Sequence, residues 1–387
     1  MRFHVLGVPH TATNHDWLCC AFTQKVAKLC AMLRGRGHHV IHYGNEDSDV
    51  ACDEHVTVTR RGDIGPPGNY MDFKIDGPPY QTFSANAVEA VARRKQPRDF
   101  LLCPFGYGHK AVADAHPDMI VVESGIGYAS SFAKWKVFES YAVMHAHYGI
   151  QAVATCNLVN WYDVVIPNSF APDDFEFRAE KSDYLLFLGR AYDGKGVHVA
   201  VQIAEHIGRR LVVAGPGRLE RTSPLVEHVG TVGAAPRREL LASAKALIAP
   251  SMFIEPFCGV VLEAAFSGTP VIASDWGAFA ENVLHGVTGY RCRTFEQFTW
   301  AARNVDRIDP ANCRSWAEEN FTIERVGQMY EEYFSSVLAI YGGGGWYEMN
   351  NERDNLDWLT RRYPALRDMP QTAGARSWMV QPVASSR

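Results

Sequence analysis

The chain has 387 residues, 47% of them hydrophobic and 21% charged, which fits two globular domains better than one. A formal net charge of −5 excludes a global attraction to nucleic acid or anionic membrane and leaves room only for a local basic face. The 9 cysteines are scattered through apolar segments without CxxC spacing, which indicates neither a zinc site nor a disulfide framework and points to a reducing, cytoplasmic compartment.

In chain order, MRFHVLGVPH lacks a cleavage site and reads as a first strand. A polar loop follows, and Phe22, Val26, Leu29 and Leu33 recur at helical spacing up to Arg36. Gly37 ends that helix and HHVIHYG is the second strand, a unit that implies a parallel sheet with right-handed crossovers. Residues 60–80 are dense in Gly and Pro and read as an excursion or mobile loop. Further strands are expected at Phe100–Cys103, Met119–Val122 and Val164–Pro167. After the linker NSFAPDDFEFRAEKSDY the pattern restarts with the strand YLLFLGR, a helix over Val197–Ile207 and the strand RLVVAGPG. A helix near 236–244, the strand ALIAPS, a helix near 259–267 and the strand PVIASD complete the second half. Residues 312–340 read as one helix, broken by Gly342 to Gly345 ahead of a polar tail with Trp346, Tyr347 and Trp358. No run reaches the roughly 18 apolar residues of a spanning helix. The reading is a soluble α/β chain of two Rossmann-like, doubly wound domains facing a central cleft. Their bounds are 1–170 and 171–335, with a segment 336–387 that packs back on the first domain.

Two stretches carry chemistry. In EPFCGVVLEA, Pro256 suits a first helical turn and not an interior, so Glu255 belongs to the loop after ALIAPS while Glu263 projects from the helix. The free N–H groups of a helix N-terminus suit a phosphate, and a carboxylate one turn on suits sugar hydroxyls. The bland alternative is a solvent-facing or capping pair of glutamates. In FLGRAYDGKGVHVA, Arg190 follows a strand and Lys195 lies between Gly194 and Gly196 just before a helix. Two cations at the sheet edge where open α/β folds bind ligands can neutralise a diphosphate, although a lone Arg and Lys in such a loop are ordinarily just solvated.

With those residues in place, the second half resembles the family 4 retaining glycosyltransferases of the GT-B fold. The matching stretches are FLGRAYDGKG, LVVAGPG, the run from ELLASAKALIAPS through GVTGY, and VIPNSFAPDDF, with Glu255 and Glu263 as the family's Glu-x7-Glu pair. The resemblance covers residues 163–300; the first half shares only the order of its elements. It implies that Arg190 and Lys195 hold the donor diphosphate without a metal. It also implies that Glu255 contacts the donor sugar near the reacting carbon and that Glu263 bonds the ribose. Gly215 and the backbone around Phe257, Cys258, Gly259 and Val260 are implied to line the sugar and phosphates. The implied reaction moves a sugar from a UDP- or GDP-linked donor to an acceptor hydroxyl with retention, needing no cofactor. The acceptor (saccharide, lipid, small molecule or modified nucleic-acid base) is not legible.

The chain departs from the family in three places. The loop after the first strand has one glycine and then His10, Thr11, Thr13 and Asn14, whose side chains are expected to donate hydrogen bonds in place of backbone N–H groups. Cys258 stands where glycine is common. The histidine that many members place near the donor sugar is open among His109, His145 and the carboxylate of Glu123, with His109 favoured because it follows a strand and a Gly-rich turn. GYGHKA matches a weak dinucleotide pattern, Asp47-Ser48-Asp49 a metal-binding DxD in a hydrophilic loop, and RRKQPR an anion-binding cluster or a solvated helix end. The rival functions are a non-hydrolysing sugar-nucleotide epimerase, a degenerate nucleotide-sugar binder and a nicotinamide oxidoreductase.

Overall fold

Two parallel sheets organise the chain. In the computed structural model, residues 1–341 are described except 18–19, 68–72, 156–159, 161 and 222. The first sheet contains β1 (Arg2–Leu6), β2 (His39–Asn45), β3 (Glu54–Thr59), β4 (Phe100–Leu102), β5 (Ile120–Ile126), β6 (Trp135–Phe138) and β7 (Val164–Val165). Its spatial order is β3-β2-β1-β4-β5-β6-β7. β1 and β4 are buried on both faces, which is why FHVL and FLL read as unbroken apolar runs. The helices are α1 (Ala21–Gly35), α2 (Pro78–Ala92), α3 (Lys110–Asp114) and α4 (Tyr141–Thr155).

The second sheet contains β8 (Tyr184–Leu188), β9 (Arg210–Ala214), β10 (Val226–Gly230), β11 (Ala246–Ala249), β12 (Val271–Ser274) and β13 (Gly289–Cys292). The order is β10-β9-β8-β11-β12-β13. Around it lie α5 (Val197–Ile207), α6 (Ala234–Ser243), α7 (Gly259–Phe266), α8 (Phe279–Asn282) and α9 (Phe295–Asn304). In each sheet the winding reverses once, between β1 and β4 and between β8 and β11. Those reversals open the crevices where doubly wound sheets take ligands.

Elements absent from the sequence reading are β3, α2, α3, β6 and α4 in the first half and β10, α8, β13 and α9 in the second. β3 and β10 are edge strands with charged residues interleaved, so neither shows a sustained apolar run. α2 starts inside the Gly/Pro-rich stretch, where Pro78 and Pro79 occupy its first turn, the position prolines tolerate.

The expected single helix over 312–340 is two helices, α10 (Pro310–Phe321) and α11 (Ile323–Tyr341). Thr322 is extended (φ −69°, ψ 155°) because the linker crosses there. Phe170 N donates to Phe321 O at 2.9 Å and Ile323 N donates to Phe170 O at 3.0 Å. Beyond that joint α11 lies on the first sheet, with the Phe334 ring 4.8 Å from Phe3 and 5.0 Å from Phe100. Arg36, the C-cap of α1, donates to Glu331 of α11 at 2.8 Å. Trp346, Tyr347 and Trp358, and the tail that holds them, lie outside the described residues. No described helix is long and apolar enough to cross a membrane.

Candidate active site

The reversal of the second sheet sets β8 beside β11, so the loops that leave them meet although 60 residues separate them in sequence. Three loops are laced together at this edge. Ala191 N donates to Pro216 O at 2.8 Å, and Met252 N to Gly194 O at 2.8 Å. Gly215 (φ +137°) presses against the backbone of Gly189, and Gly196 (φ +70°) against the Pro250 carbonyl, so a Cβ at either position would collide with main chain.

This lacing brings Lys195 to Glu255. The ammonium donates to Glu255 Oε1 at 2.6 Å and sits 5.0 Å from the centre of the Phe253 ring. Ser251 Oγ donates to the same carboxylate oxygen. Glu255 is 2% exposed, which answers how a glutamate lies in so apolar a stretch: it is paired, as a buried carboxylate must be. Burial opposes the charge on Lys195, but the Glu255 carboxylate, by its charge and its hydrogen bond, helps to hold the ammonium above its ordinary range. One of three ammonium donors goes to Glu255, which leaves two for a ligand. Arg190 is half-buried, lies over the Tyr192 ring at 5.3 Å and has no carboxylate partner among the described residues.

α7 begins at Gly259, with Cys258 as its N-cap in the left-handed region (φ 60°, ψ 69°). That geometry is the reason glycine suits the position. A side chain there costs about 1–2 kcal/mol. Its thiol is pushed up to about 12 by burial and by Glu255, so it is a neutral thiol at physiological pH. Glycine at 258 should therefore be more stable than alanine by about 1 kcal/mol, the reverse of the usual helix order; urea midpoints of the Cys258→Gly and Cys258→Ala variants check this. Val261 N bonds Cys258 O, while the N–H groups of Cys258, Gly259 and Val260 find no acceptor among the described residues. Phe257 is different. Its ring is buried against Phe170 and Phe321, and its carbonyl accepts from Asn282 Nδ2 at 2.8 Å, so it supports the loop from below.

Glu263 stands one turn further along. Its Oε2 accepts from Arg237 Nε of α6 at 2.7 Å, and Oε1 has no partner among the described residues. Lys28 of α1 approaches the same carboxylate: its ammonium donates to Ser169 O at 3.1 Å and lies 4.4 Å from the Phe170 ring centre. Burial lowers the affinity of Lys28 for its proton, with Glu263 and Asp174 opposing. Ser251, Phe253 and Arg237 escape a sequence reading because each acts through a partner on another element.

The first-domain expectations need correction. His109 is fully buried: Nε2 donates to Gly7 O at 2.8 Å and Nδ1 accepts from Phe105 N at 3.3 Å. Both ring nitrogens are used, so this histidine holds the β1 and β4 loops together and has no nitrogen to offer a sugar. Burial lowers its pKa from 6.5 to about 4, and that of His42 to about 3. Both rings are neutral in the fold, whereas the unfolded chain takes up protons below pH 6.5. Their contribution is thus complete above pH 6.5 and lost as pH falls toward 4 and 3. Urea midpoints measured from pH 7 to 4 should fall, and fall less steeply in His109→Gln.

Thr11 and Thr13 are also spent internally. Thr11 Oγ1 pairs with Thr23 at 2.7 Å and Thr13 Oγ1 with His42 at 3.2 Å, so neither hydroxyl is available to a phosphate. Asn14 Nδ2 donates to Asp47 O at 2.8 Å. His10 Nδ1 pairs with Tyr80 OH at 2.7 Å, inside a stack with Phe73. Glu123 accepts from the N–H groups of Phe132 and Ala133 at 2.8 and 2.9 Å and is structural. His145 is exposed on α4. The glycines of GYGHKA meet rings, Gly106 that of Tyr128 and Gly108 those of Phe105 and Tyr80, which leaves no phosphate cradle there. Asp47 is held by both Nε and a terminal nitrogen of Arg61 at 2.7 Å. The cluster at 93–98 is a helix end tied down by Glu89, Glu54, Asp118 and the Leu338 carbonyl.

Residues 182–305 match the family model Glycosyl transferases group 1. Over 123 residues the chain is 36% identical to glycogen synthase of Mycobacterium tuberculosis, covering 28% of this chain and 30% of that protein. Over 209 residues it is 32% identical to D-inositol 3-phosphate glycosyltransferase of Nocardia farcinica, covering 45% of this chain and 46% of that protein. The chain thus aligns with less than half the length of either relative. A glycosyltransferase involved in avilamycin A biosynthesis superposes with a TM-score of 0.64 at 22% identity, over 87% of this chain and 98% of that one. Anabaena HepE in complex with UDP-glucose superposes at 0.62 and 16% identity, over 87% and 100%. Those likenesses extend the shared fold to the first domain, which the family model does not reach. Residues 182–305 are thus similar to the group 1 glycosyl transferases, and the two parallel sheets form the GT-B fold.

Proposed function

We propose that the protein is a retaining glycosyltransferase that moves a sugar from a nucleotide-diphosphate donor to an acceptor hydroxyl. The observation that carries this reading is the Lys195–Glu255 pair beside the open N–H groups of α7. In this reading residues 171–335 bind the donor and residues 1–170 the acceptor. Arg190, the two remaining Lys195 donors and the N–H groups of Gly259 and Val260 neutralise the diphosphate as it leaves, so no metal or cofactor is required. Gly215 keeps the loop beside the phosphates tight. Glu263 Oε1, steadied through Arg237, accepts from the ribose hydroxyls.

The bond from the anomeric carbon to the phosphate oxygen breaks as the bond to the acceptor oxygen forms on the same face. The acceptor proton passes to the departing phosphate, and the Glu255 carboxylate stabilises the cationic ring between the two events. A UDP-linked donor is the first choice because HepE, of the same fold, binds UDP-glucose. A reducing, cytoplasmic setting is consistent with seven free cysteines among the described residues. A thermal-shift panel of UDP- and GDP-sugars, followed by an acceptor screen and NMR of the product's anomeric proton, tests the reading. Stabilisation by a nucleotide sugar and a product of unchanged anomeric configuration are expected. Conversion of the donor to its epimer without an acceptor would make it an epimerase, and an inverted product would sink the mechanism.

A further inference from the structure

A carboxylate of the second domain reaches the first across the cleft. Glu281 of α8 reaches the first turn of α4 in the other domain. Its Oε1 accepts from Ala142 N at 2.8 Å and its Oε2 from Tyr141 N at 2.9 Å. α4 has no acidic residue in its own first turn, and among the described residues Ser140 Oγ accepts from Val143 N. Two N–H groups that a helix leaves orphaned, at the positive end of its dipole, are therefore satisfied by a carboxylate 139 and 140 residues away.

The other side of α8 is tied to the donor loop. Ala278 N donates to Glu255 O at 2.9 Å, and Asn282 Nδ2 to Phe257 O at 2.8 Å. Gly277 (φ +61°) packs so closely on the Glu255 backbone that a Cβ would strike it. A continuous hydrogen-bonded link therefore runs from the N-terminus of α4, through Glu281 and the short α8 turn, to the residues on both sides of Pro256.

We propose that Glu281 is a positioning residue that couples closure of the two domains to the placement of Glu255, and so orders the donor loop when the acceptor domain is seated. The role in catalysis rests on the glycosyltransferase reading; the mechanical coupling does not. When the latch is made, the loop carrying Glu255 is held at its Glu255 and Phe257 carbonyls from the first domain's side. When it is lost, the cleft opens to water and the loop relaxes, which favours donor hydrolysis over transfer.

Hydrogen exchange of the full-length protein tests the coupling without any substrate. In Glu281→Ala, amides of Tyr141 and Ala142 should exchange at least about tenfold faster, and that of Ala278, which donates to Glu255 O, should also speed up, while the β8 and β9 amides stay protected. Glu281→Gln, which keeps an acceptor, should fall between the two. With UDP-glucose as probe, Glu281→Ala should raise the ratio of hydrolysis to transfer at least about fivefold relative to wild type. Unchanged exchange at Ala278 together with an unchanged ratio would overturn the proposal. If wild type neither transfers nor hydrolyses any tested donor, the glycosyltransferase reading fails while the exchange data still judge the latch. Faster exchange confined to Tyr141 and Ala142 would reduce Glu281 to a helix cap and also overturn it.

Discussion

Replacing Lys195 by alanine should lower sugar transfer about 100-fold, the effect of deleting one preorganised charge from a water-poor site. The loss should fall on kcat as well as on the donor KM, because a departing diphosphate carries more charge than a bound one. Glu255→Ala should be at least as damaging, since it removes the carboxylate nearest the developing cation. The two losses should not add. Lys195 donates to Glu255 at 2.6 Å, so either change strips the other group of its partner, and the double variant should be far better than the product of the singles. Stability should follow the same pattern. Breaking a buried pair costs about 3–5 kcal/mol, but the Lys195 side chain keeps 20% of its exposure, which places the expected cost at the lower end or below. Urea unfolding alongside steady-state kinetics separates the effects. Normal turnover by both single variants would remove these residues from the site.

Gly196→Ala should be the more destructive change to the fold. The position needs φ +70°, and a Cβ would run into the Pro250 carbonyl, which is main chain and cannot rotate away. Gly208 supplies the control. It has nearly the same φ, +69°, but no atom within 4 Å of where a Cβ would stand. Gly208→Ala should therefore cost only the left-handed penalty of about 1–2 kcal/mol. Gly196→Ala should exceed that by at least about 2 kcal/mol and displace Lys195 at the same time, abolishing donor-induced thermal stabilisation. Equal unfolding midpoints for the two variants would mean that the loops after β8 and β11 are not packed as described.

Much of this arrangement was written locally. Pro256 keeps Glu255 out of any helix interior and in the loop, and eight residues then carry Glu263 onto the helix that starts at Gly259. The buried central strands β1, β8 and β11 announce themselves as apolar runs, while the edge strands β3 and β10 do not, because one side of their ladder faces solvent. The demand for glycine at 258 is equally local, and Cys258 meets it only by accepting a left-handed φ of 60°.

What the sequence could not settle is which polar atoms find each other. His109 follows a strand and a glycine-rich turn as a site histidine would, yet packing turns both of its nitrogens inward to Gly7 and Phe105. Thr11 and Thr13 look like donors and are consumed by Thr23 and His42. The reverse holds for Lys195 with Glu255, Arg237 with Glu263 and Glu281 with the start of α4, pairs that no spacing relates. The sequence alone determined two α/β halves, the break between a loop at Glu255 and a helix at Glu263, and the candidate cations and carboxylates. Tertiary structure decided the pairings, because strand order places β8 against β11, and the low-dielectric interior then requires every buried charge and N–H near that edge to be met by whichever partner the packing supplies.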